Sequence, residues 1–421
     1  MCCLLNPLRL SAETGRWPQF RGPTGQGLAL DAQPPLEWSE TRNITWTTKI
    51  PGKGHSSPVI WDDLIWVTTS TPDGKKLSAV GLDRATGKIR HDILLLTPSK
   101  IEEIHEKNSH ASTTPVLAEG RLYAHFGTYG AACIDTTTGE ILWKNEELQI
   151  EHQGGPGSSP VLWEKLLIVT CDGADQQYVA ALDVDTGKIK WKRPRSAPYR
   201  ANRITKRAFA TPLLITHDGK PQLISPAADQ LHAYHPGTGE ELWHVRYTGF
   251  STIPCPSYED GVIFMCTGFF KPEMAAIKVN GTGNVTDTHL NWRVQKGVPD
   301  TPSPIVHQGR VYIVSDKGIG TCIEAKSGKV LWTRRLEGNF SASPLLAGEH
   351  LFYCSEEGTT RVLKLGPTPD KGKINKLPGR IMASPAALGK ELYIRTTVGL
   401  FRVEEGAPAK SSPVALRKLA E

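Results

Sequence analysis

Residues 181–191 read Ala-Leu-Asp-Val-Asp-Thr-Gly-Lys-Ile-Lys-Trp, and this stretch decides the fold because the chain repeats it. The same frame returns at residues 133–143 (CIDTTTGEILW), 233–243 (AYHPGTGEELW) and 322–332 (CIEAKSGKVLW), with a degenerate copy at 81–91 (GLDRATGKIRH). Its physical content is a β-hairpin. The Asp-type side chain and the Thr bond turn backbone, the Gly takes a positive φ, and the Trp lies on the strand that returns beside the first. An aromatic of that size is expected to be buried between neighbouring sheets.

A second unit is a small or polar residue followed by Pro, an apolar pair, a tight turn and an apolar run. It occurs at Pro58, Pro115, Pro160, Pro212, Pro256, Pro304, Pro344 and Pro385, at intervals of 40 to 57 residues. In seven cases the turn falls at the fourth and fifth residues after Pro; Pro212 is read as carrying a longer turn, Ile215 to Pro221. Pro has no N–H for a ladder, so each Pro strand should be a sheet edge. Eight sheets with an unpaired first strand describe an all-β, eight-bladed β-propeller of four-stranded antiparallel blades around a channel. The eighth blade lacks its fourth strand, while Ile44 to Ile50 (ITWTTKI) is a Trp-bearing strand with no partners before it. The N-terminal strand therefore closes the last blade and removes a free edge.

The balance of the 421 residues agrees. Forty Gly and 31 Pro disfavour long helices, and 49 Lys+Arg against 43 Asp+Glu give a net charge of only +6. No stretch approaches the ~20 apolar residues of a membrane-spanning helix. A WD40 or kelch array needs other signatures, and a Rossmann or α/β-hydrolase chain needs alternating helical patterns. One helix is expected, Lys100 to Lys107, with Ser99 as N-cap and Glu102 three residues on. Boundaries are read as a leader at 1–15, an N-terminal extension at 16–43, the propeller at 44–403 and a flexible tail at 404–421.

At these residues the chain resembles the quinoprotein-type eight-bladed propellers, whose tryptophan-docking repeats have the Ala-x-Asp-x-x-Thr-Gly-x-x-x-Trp form. The stretch at 17–27 (WPQFRGPTGQG), with Leu223-Ile-Ser-Pro226 and Val314-Ser-Asp316-Lys-Gly318, is similar to the PQQ-binding-like repeat proteins of planctomycete and related bacterial envelopes. BamB-like assembly lipoproteins are similar in blade number and length, and that resemblance implies a non-catalytic scaffold. The pyrroloquinoline quinone (PQQ) alcohol dehydrogenases imply more: a calcium site of Glu, Asn and Asp, a catalytic Asp, a vicinal disulfide and a stacking Trp. That set is not placed here, since the only adjacent cysteines, Cys2 and Cys3, precede the propeller.

Met1 to Ala12 has an apolar middle and a small-residue end, so it is read as a truncated secretory signal and the protein as exported to the periplasm or cell envelope. The six later cysteines show no CxxC spacing and read as small buried hydrophobes; only Cys255 and Cys266 are a pair to test for a disulfide.

Loops of one face carry the candidate site. Before the Pro strands stand His55, His110, His152, Arg207, Asp300, Asn339 and Arg380; from the loops within blades come Tyr129, Asp172, Asp175, Asp229, Asp316 and Glu356. Of these, His55, His110, His152, Arg207, Asp316 and Arg380 are taken as ligand-binding residues at the channel mouth. Three converging histidines would suit a metal, but without short ligand spacing hydrogen bonding to loop backbone is the favoured role and no metal is assigned. Residues 191–207 (WKRPRSAPYRANRITKR) hold seven basic residues and no acidic one. Arg193, Arg195, Arg200 and Arg203 there are candidates for binding an anion, carboxylate or phosphate, with internal ion pairs as the equal alternative. Past the repeat's own Trp191, Tyr199 is the only aromatic inside that run, which argues against nucleic acid. The expected role is a monomeric, non-catalytic binding or scaffolding module. Its partner would be an envelope protein or an anionic small molecule or polysaccharide. The rival is a PQQ-dependent oxidoreductase using PQQ and calcium.

Overall fold

The computed structural model describes residues 15–407. The leader expected at 1–15, save its last residue, and most of the tail lie outside them. Eight antiparallel sheets follow one another in chain order, each running from an inner strand to an outer one. Blade three shows the pattern: Val161–Trp163, Leu166–Asp172, Gln177–Asp183 and Ile189–Pro194. Its inner-strand turn places Glu164 at φ +50°, the twist that two-residue hairpins require. Pro212 is no exception in its turn. The strand Leu213–His217 is longer than its counterparts, and the turn is again two residues, Asp218 and Gly219, both at positive φ.

Blade eight is closed as expected. Its strands Ala386–Leu388, Glu391–Thr396 and Gly399–Glu404 are completed by Ile44–Thr48, with Ile44 opposite Val403 and Thr48 opposite Leu400. Side chains from adjacent blades form the core between the sheets, as where Val59, Trp66 and Ala79 meet Leu117, Ala124 and Ile134.

The repeat turns explain how blades are joined. Trp143 of blade two sends its indole N–H to the Val184 carbonyl, 2.8 Å, in the Asp183–Gly187 turn of blade three. Gly187 sits under that indole with φ +70°, and a Cβ there would lie 2.5 Å from the ring. Trp46 makes the same contact with Arg84 and Gly87, and Trp292 with Ala325 and Gly328. Trp292 escaped the repeat pattern because blade five replaces the tight turn with residues 279–289, of which Gly283–Asn284 pairs in parallel with blade four. In the degenerate copy His91 takes the Trp position and stacks on Trp66.

The residue before each Pro also has a use. Ser57, Thr114 and Ser159 each donate a backbone N–H to the hydroxyl of the next blade's pre-Pro residue: Thr114, Ser159 and Thr211, at 2.9–3.0 Å. Cys255, Ser303 and Ser343 do the same to Ser303, Ser343 and Ser384. The hydroxyls thus form two arcs of a belt around the channel, satisfying backbone groups the sheets leave unpaired.

Not every inner strand is an edge. Arg16–Trp17 pairs with Ile60 and Trp61 in blade one, and Leu28–Ala29 pairs in parallel with Leu346 and Ala347 in blade seven. Between them the N-terminal extension crosses the channel at the end where the tight turns lie. The Pro18 carbonyl accepts from Leu117 N, the Gln26 side chain from Tyr258 N, and Gln33 N donates to the Gly389 carbonyl. Arg21 reaches deepest: its Nη2 donates to the carbonyls of Pro304 and Gln26. Burial pushes the Arg21 guanidinium down to about 10. The extension is a plug, and it caps edges that Pro alone was expected to protect.

One further expectation fails, and the cysteine pair left to test is not bonded. Lys100 to Lys107 is not a helix: Ile104 bridges to Gly154, and Glu102 accepts the His152 N–H instead of capping. Cys255 and Cys266 are both free and buried. They face different seams, Cys255 toward blades four and five and Cys266 toward five and six.

Candidate binding face at the channel mouth

With one end plugged, a ligand reaches the channel axis through the loops of the other face. Glu356, in the loop after His350–Cys354, is the hub there. Its Oε2 accepts from Arg380 Nη2 at 2.7 Å, and its Oε1 accepts from Lys107 Nζ at 3.0 Å and Ser341 Oγ at 2.7 Å. Burial opposes ionisation of Glu356, but the bonds from Ser341, Lys107 and Arg380 outweigh it and hold the carboxyl below its ordinary range. Lys107 belongs to the loop between blades one and two, so this ion pair spans the mouth.

His55 lies beside this group. Burial, with the charges of Arg395 and Arg380, pushes its imidazole down to about 4. Arg395 is itself buried, and its Nη1 donates to the carbonyls of Ser56 and Thr68 and to Ser56 Oγ. No carboxylate pairs with it among the described residues, and burial pushes it down to about 9. Its only trace in the sequence is an Arg inside the apolar run Leu392 to Thr396.

The other two histidines meet at Tyr129 instead. His110 Nδ1 lies 3.2 Å from Tyr129 Oη, and the His152 ring packs edge-on to it at 6.0 Å. Glu102 joins them, its N–H on Tyr129 Oη and its carboxylate on His152 N. The three histidines therefore do not form one centre. Among the described residues no three His, Cys, Asp or Glu come together to hold a metal ion.

His152 Nε2 accepts the Thr128 N–H at 2.9 Å, which requires the neutral ring. Burial, then the neighbouring His125 and His110, pushes it down to about 3. The folded value lies below the unfolded one, so this contribution to stability is complete above pH ~6.5 and is lost as pH falls below it, at ~1.4 kcal/mol per pH unit. Wild type is expected to lose about 2 kcal/mol more than His152→Gln between pH 6.5 and 5, measured by urea unfolding. Equal losses would mean His152 is protonated in the folded state.

The basic loop is engaged with its own chain. Arg195 forms a bidentate pair with Asp172, with Nε–Oδ1 3.0 Å and Nη2–Oδ2 2.6 Å, both side chains being nearly inaccessible. Arg200 bonds Asp229, Arg203 bonds Glu151 at 2.7 Å, and Arg193 donates to the Thr238 carbonyl. Arg207 donates to the carbonyls of Gln153 and Ile204. Asp316 Oδ2 accepts from Asp300 N at 2.7 Å, and burial together with the Asp316 charge pushes the Asp300 carboxyl up to about 6.

Glu356 is held by two cations and Asn339 Oδ1 faces Lys317 Nζ at 3.5 Å, so these two oxygens already have positive partners, whereas Asp300 and Asp316 lie beside one another with no cation paired to either among the described residues.

Fold and site together define a closed eight-bladed propeller with its N-terminal extension across one end and an ion-paired loop face at the other. The chain belongs to the family described as outer membrane protein assembly factor BamB, which it matches over residues 25–193, 175–302 and 227–366. No curated protein matches it in sequence. Among solved structures, BamB from Moraxella catarrhalis superposes with a TM-score of 0.61 at 13% identity, covering 86% of this chain and 99% of that one. A europium-containing methanol dehydrogenase gives 0.66 at 12%, covering 92% and 90%. The quinohemoprotein alcohol dehydrogenase from Comamonas testosteroni gives 0.66 at 12%, covering 94% and 81%. A computationally designed protein, Ika8, aligns at 0.57, so these likenesses report the fold alone.

Proposed function

We propose that the protein is a non-catalytic binding and scaffolding propeller of the bacterial cell envelope, presenting its loop face to an envelope protein partner. One observation carries this reading: Glu356, Asp172, Asp229 and Glu151 at that face are each bound by a cation of the chain itself. A redox site at the mouth would need such carboxylates free to hold a metal or to move a proton. Membership of the family described as an outer membrane assembly factor agrees with it.

The oxidoreductase reading retains one specific support, the Asp300 carboxyl near 6 beside Asp316, since perturbed carboxyls gather at functional sites. Calorimetric titration of the full chain with PQQ, with and without calcium, separates the two. No saturable heat is expected in either condition, and crosslinking in envelope fractions should yield a defined protein partner that Arg380→Glu displaces. Saturable, calcium-dependent quinone binding that weakens in Asp300→Asn or Arg207→Ala would overturn the scaffold reading.

A further inference from the structure

Ten large hydrophobic side chains are exposed among the described residues, and their distribution is uneven. Ile89, Leu94, Leu142, Val330 and Ile374 lie on the outer strands of four different blades, and Leu30 lies in the N-terminal extension. The remaining four, Ile204, Ile253, Phe269 and Phe270, stand on three adjoining loops of the channel-mouth face, at blades three to five. Phe269 and Phe270 are 55% and 63% exposed.

Backbone bonds tie these loops into one surface. Phe209 N donates to the Thr252 carbonyl, Ser251 N to the Arg207 carbonyl, and Phe269 N to the Phe250 carbonyl. The rings of Phe250 and Phe269 meet edge-on at 5.7 Å. Phe270 and Lys271 both have φ +71°, a left-handed backbone that costs free energy in non-glycine residues and is kept at a solvent-facing tip. Glu151, Asp229 and Glu273, on or beside these loops, are each bound to an arginine, and the neighbouring Asp175 accepts the Glu151 N–H. Lys206 and Lys271 have no carboxylate partner among the described residues, while the half-buried Arg207 is taken up by the carbonyls of Gln153 and Ile204, so the surface combines protruding apolar tips with two unpaired lysines.

We propose that this rim, at blades three to five, is a docking surface for an anionic lipid bilayer, on the same face as the partner-binding role above but away from its Glu356–Arg380 group. Phenylalanine and isoleucine tips enter the boundary between headgroups and acyl chains, while Lys206 and Lys271 meet lipid phosphates. Charge complementarity selects this occupant: hydrophobes at the ends of separate loops, flanked by the unpaired Lys206 and Lys271, suit a soft, negatively charged plane.

Co-sedimentation of the full chain with vesicles of phosphatidylcholine, alone or mixed with phosphatidylglycerol, tests it. Binding is expected only to the mixed vesicles and should weaken with salt. Phe269→Ser/Phe270→Ser should reduce it by at least about tenfold, and Lys206→Glu/Lys271→Glu by a similar factor. All four side chains lie on exposed loops, and unchanged thermal melting will show that the variants fold. No sedimentation of wild type with mixed vesicles, or equal sedimentation of the Ser variant, overturns the proposal. Light scattering that finds wild type dimeric and the Ser variant monomeric, with no vesicle binding, reassigns the surface to a second copy of the chain.

Discussion

Asp172→Ala is expected to destabilise the propeller by about 3–5 kcal/mol, a large share of the total for a domain of this kind. Asp172 ends the strand Leu166–Asp172 and Arg195 directly follows the strand Ile189–Pro194, so the pair bridges the second and fourth strands of blade three across the third. Burial alone would drive the guanidinium down, but the Asp172 carboxylate more than offsets this and holds it above its ordinary range. The guanidinium also lies 5.8 Å over the Tyr234 ring, which carries the interaction into blade four. Removing the carboxylate leaves a buried charge with nothing opposite it, and that uncompensated charge supplies most of the cost. Asp172→Asn keeps two acceptor lone pairs and should lose less. Asp172→Leu/Arg195→Met removes both charges and should recover most of the loss. Urea unfolding midpoints of the four proteins decide the matter: an Ala variant within 1 kcal/mol of wild type, or a double variant no better than the single, would show that the pair is not a buried, coupled one.

How much of this could be read from the sequence depends on the range of each interaction. Asp183, Thr186 and Gly187 shape a turn within five residues, and Asp183 Oδ1 accepts from both the N–H and the hydroxyl of Thr186. That contact is local, so the repeat announces it. Trp143 on Gly187 is not local, but it recurs between blades and the periodicity carries it. The belt of pre-Pro hydroxyls was visible only as a preference for small polar residues, because each bond runs to the next blade. Lys107 and Glu356 are 249 residues apart, and which charge finds which is set by the closed ring and not by either neighbourhood. The Ser99 and Glu102 spacing misled for the same reason: Glu102 found a partner in His152, a blade away, and tertiary contacts outweighed local helix preference. The basic run at 191–207 was legible as charge. Its partners Asp172, Asp229 and Glu151 lie on other strands and loops, so the sequence left open whether those arginines were free.

Deleting residues 1–50 is expected to abolish the cooperative fold altogether. The deletion removes Ile44–Thr48, exposing the edge of Gly399–Glu404, and it takes away Trp46, whose indole N–H bonds the Arg84 carbonyl of blade one at 3.0 Å. Blade eight then has no outer strand to hold it to blade one. Trp17, Trp38, Ile44, Trp46 and Ile50 are all buried, and five such side chains amount to roughly 10 kcal/mol of apolar burial, comparable with the whole stability of a folded domain. A shorter deletion, residues 1–35, separates closure from plugging. It keeps the closing strand but loses Trp17, the Arg21 bonds to Pro304 and Gln26, and the pairing of Leu28–Ala29 with blade seven. That protein should retain β-sheet circular dichroism and a single, lower melting transition, since the ring is still shut by Ile44–Thr48. The 1–50 deletion should instead aggregate through its unpaired edge or melt without a defined midpoint. A cooperative transition near that of wild type after removal of residues 1–50 would mean that seven complete blades and three strands hold the ring by themselves, and the N-terminal strand would then be a cover and not a clasp.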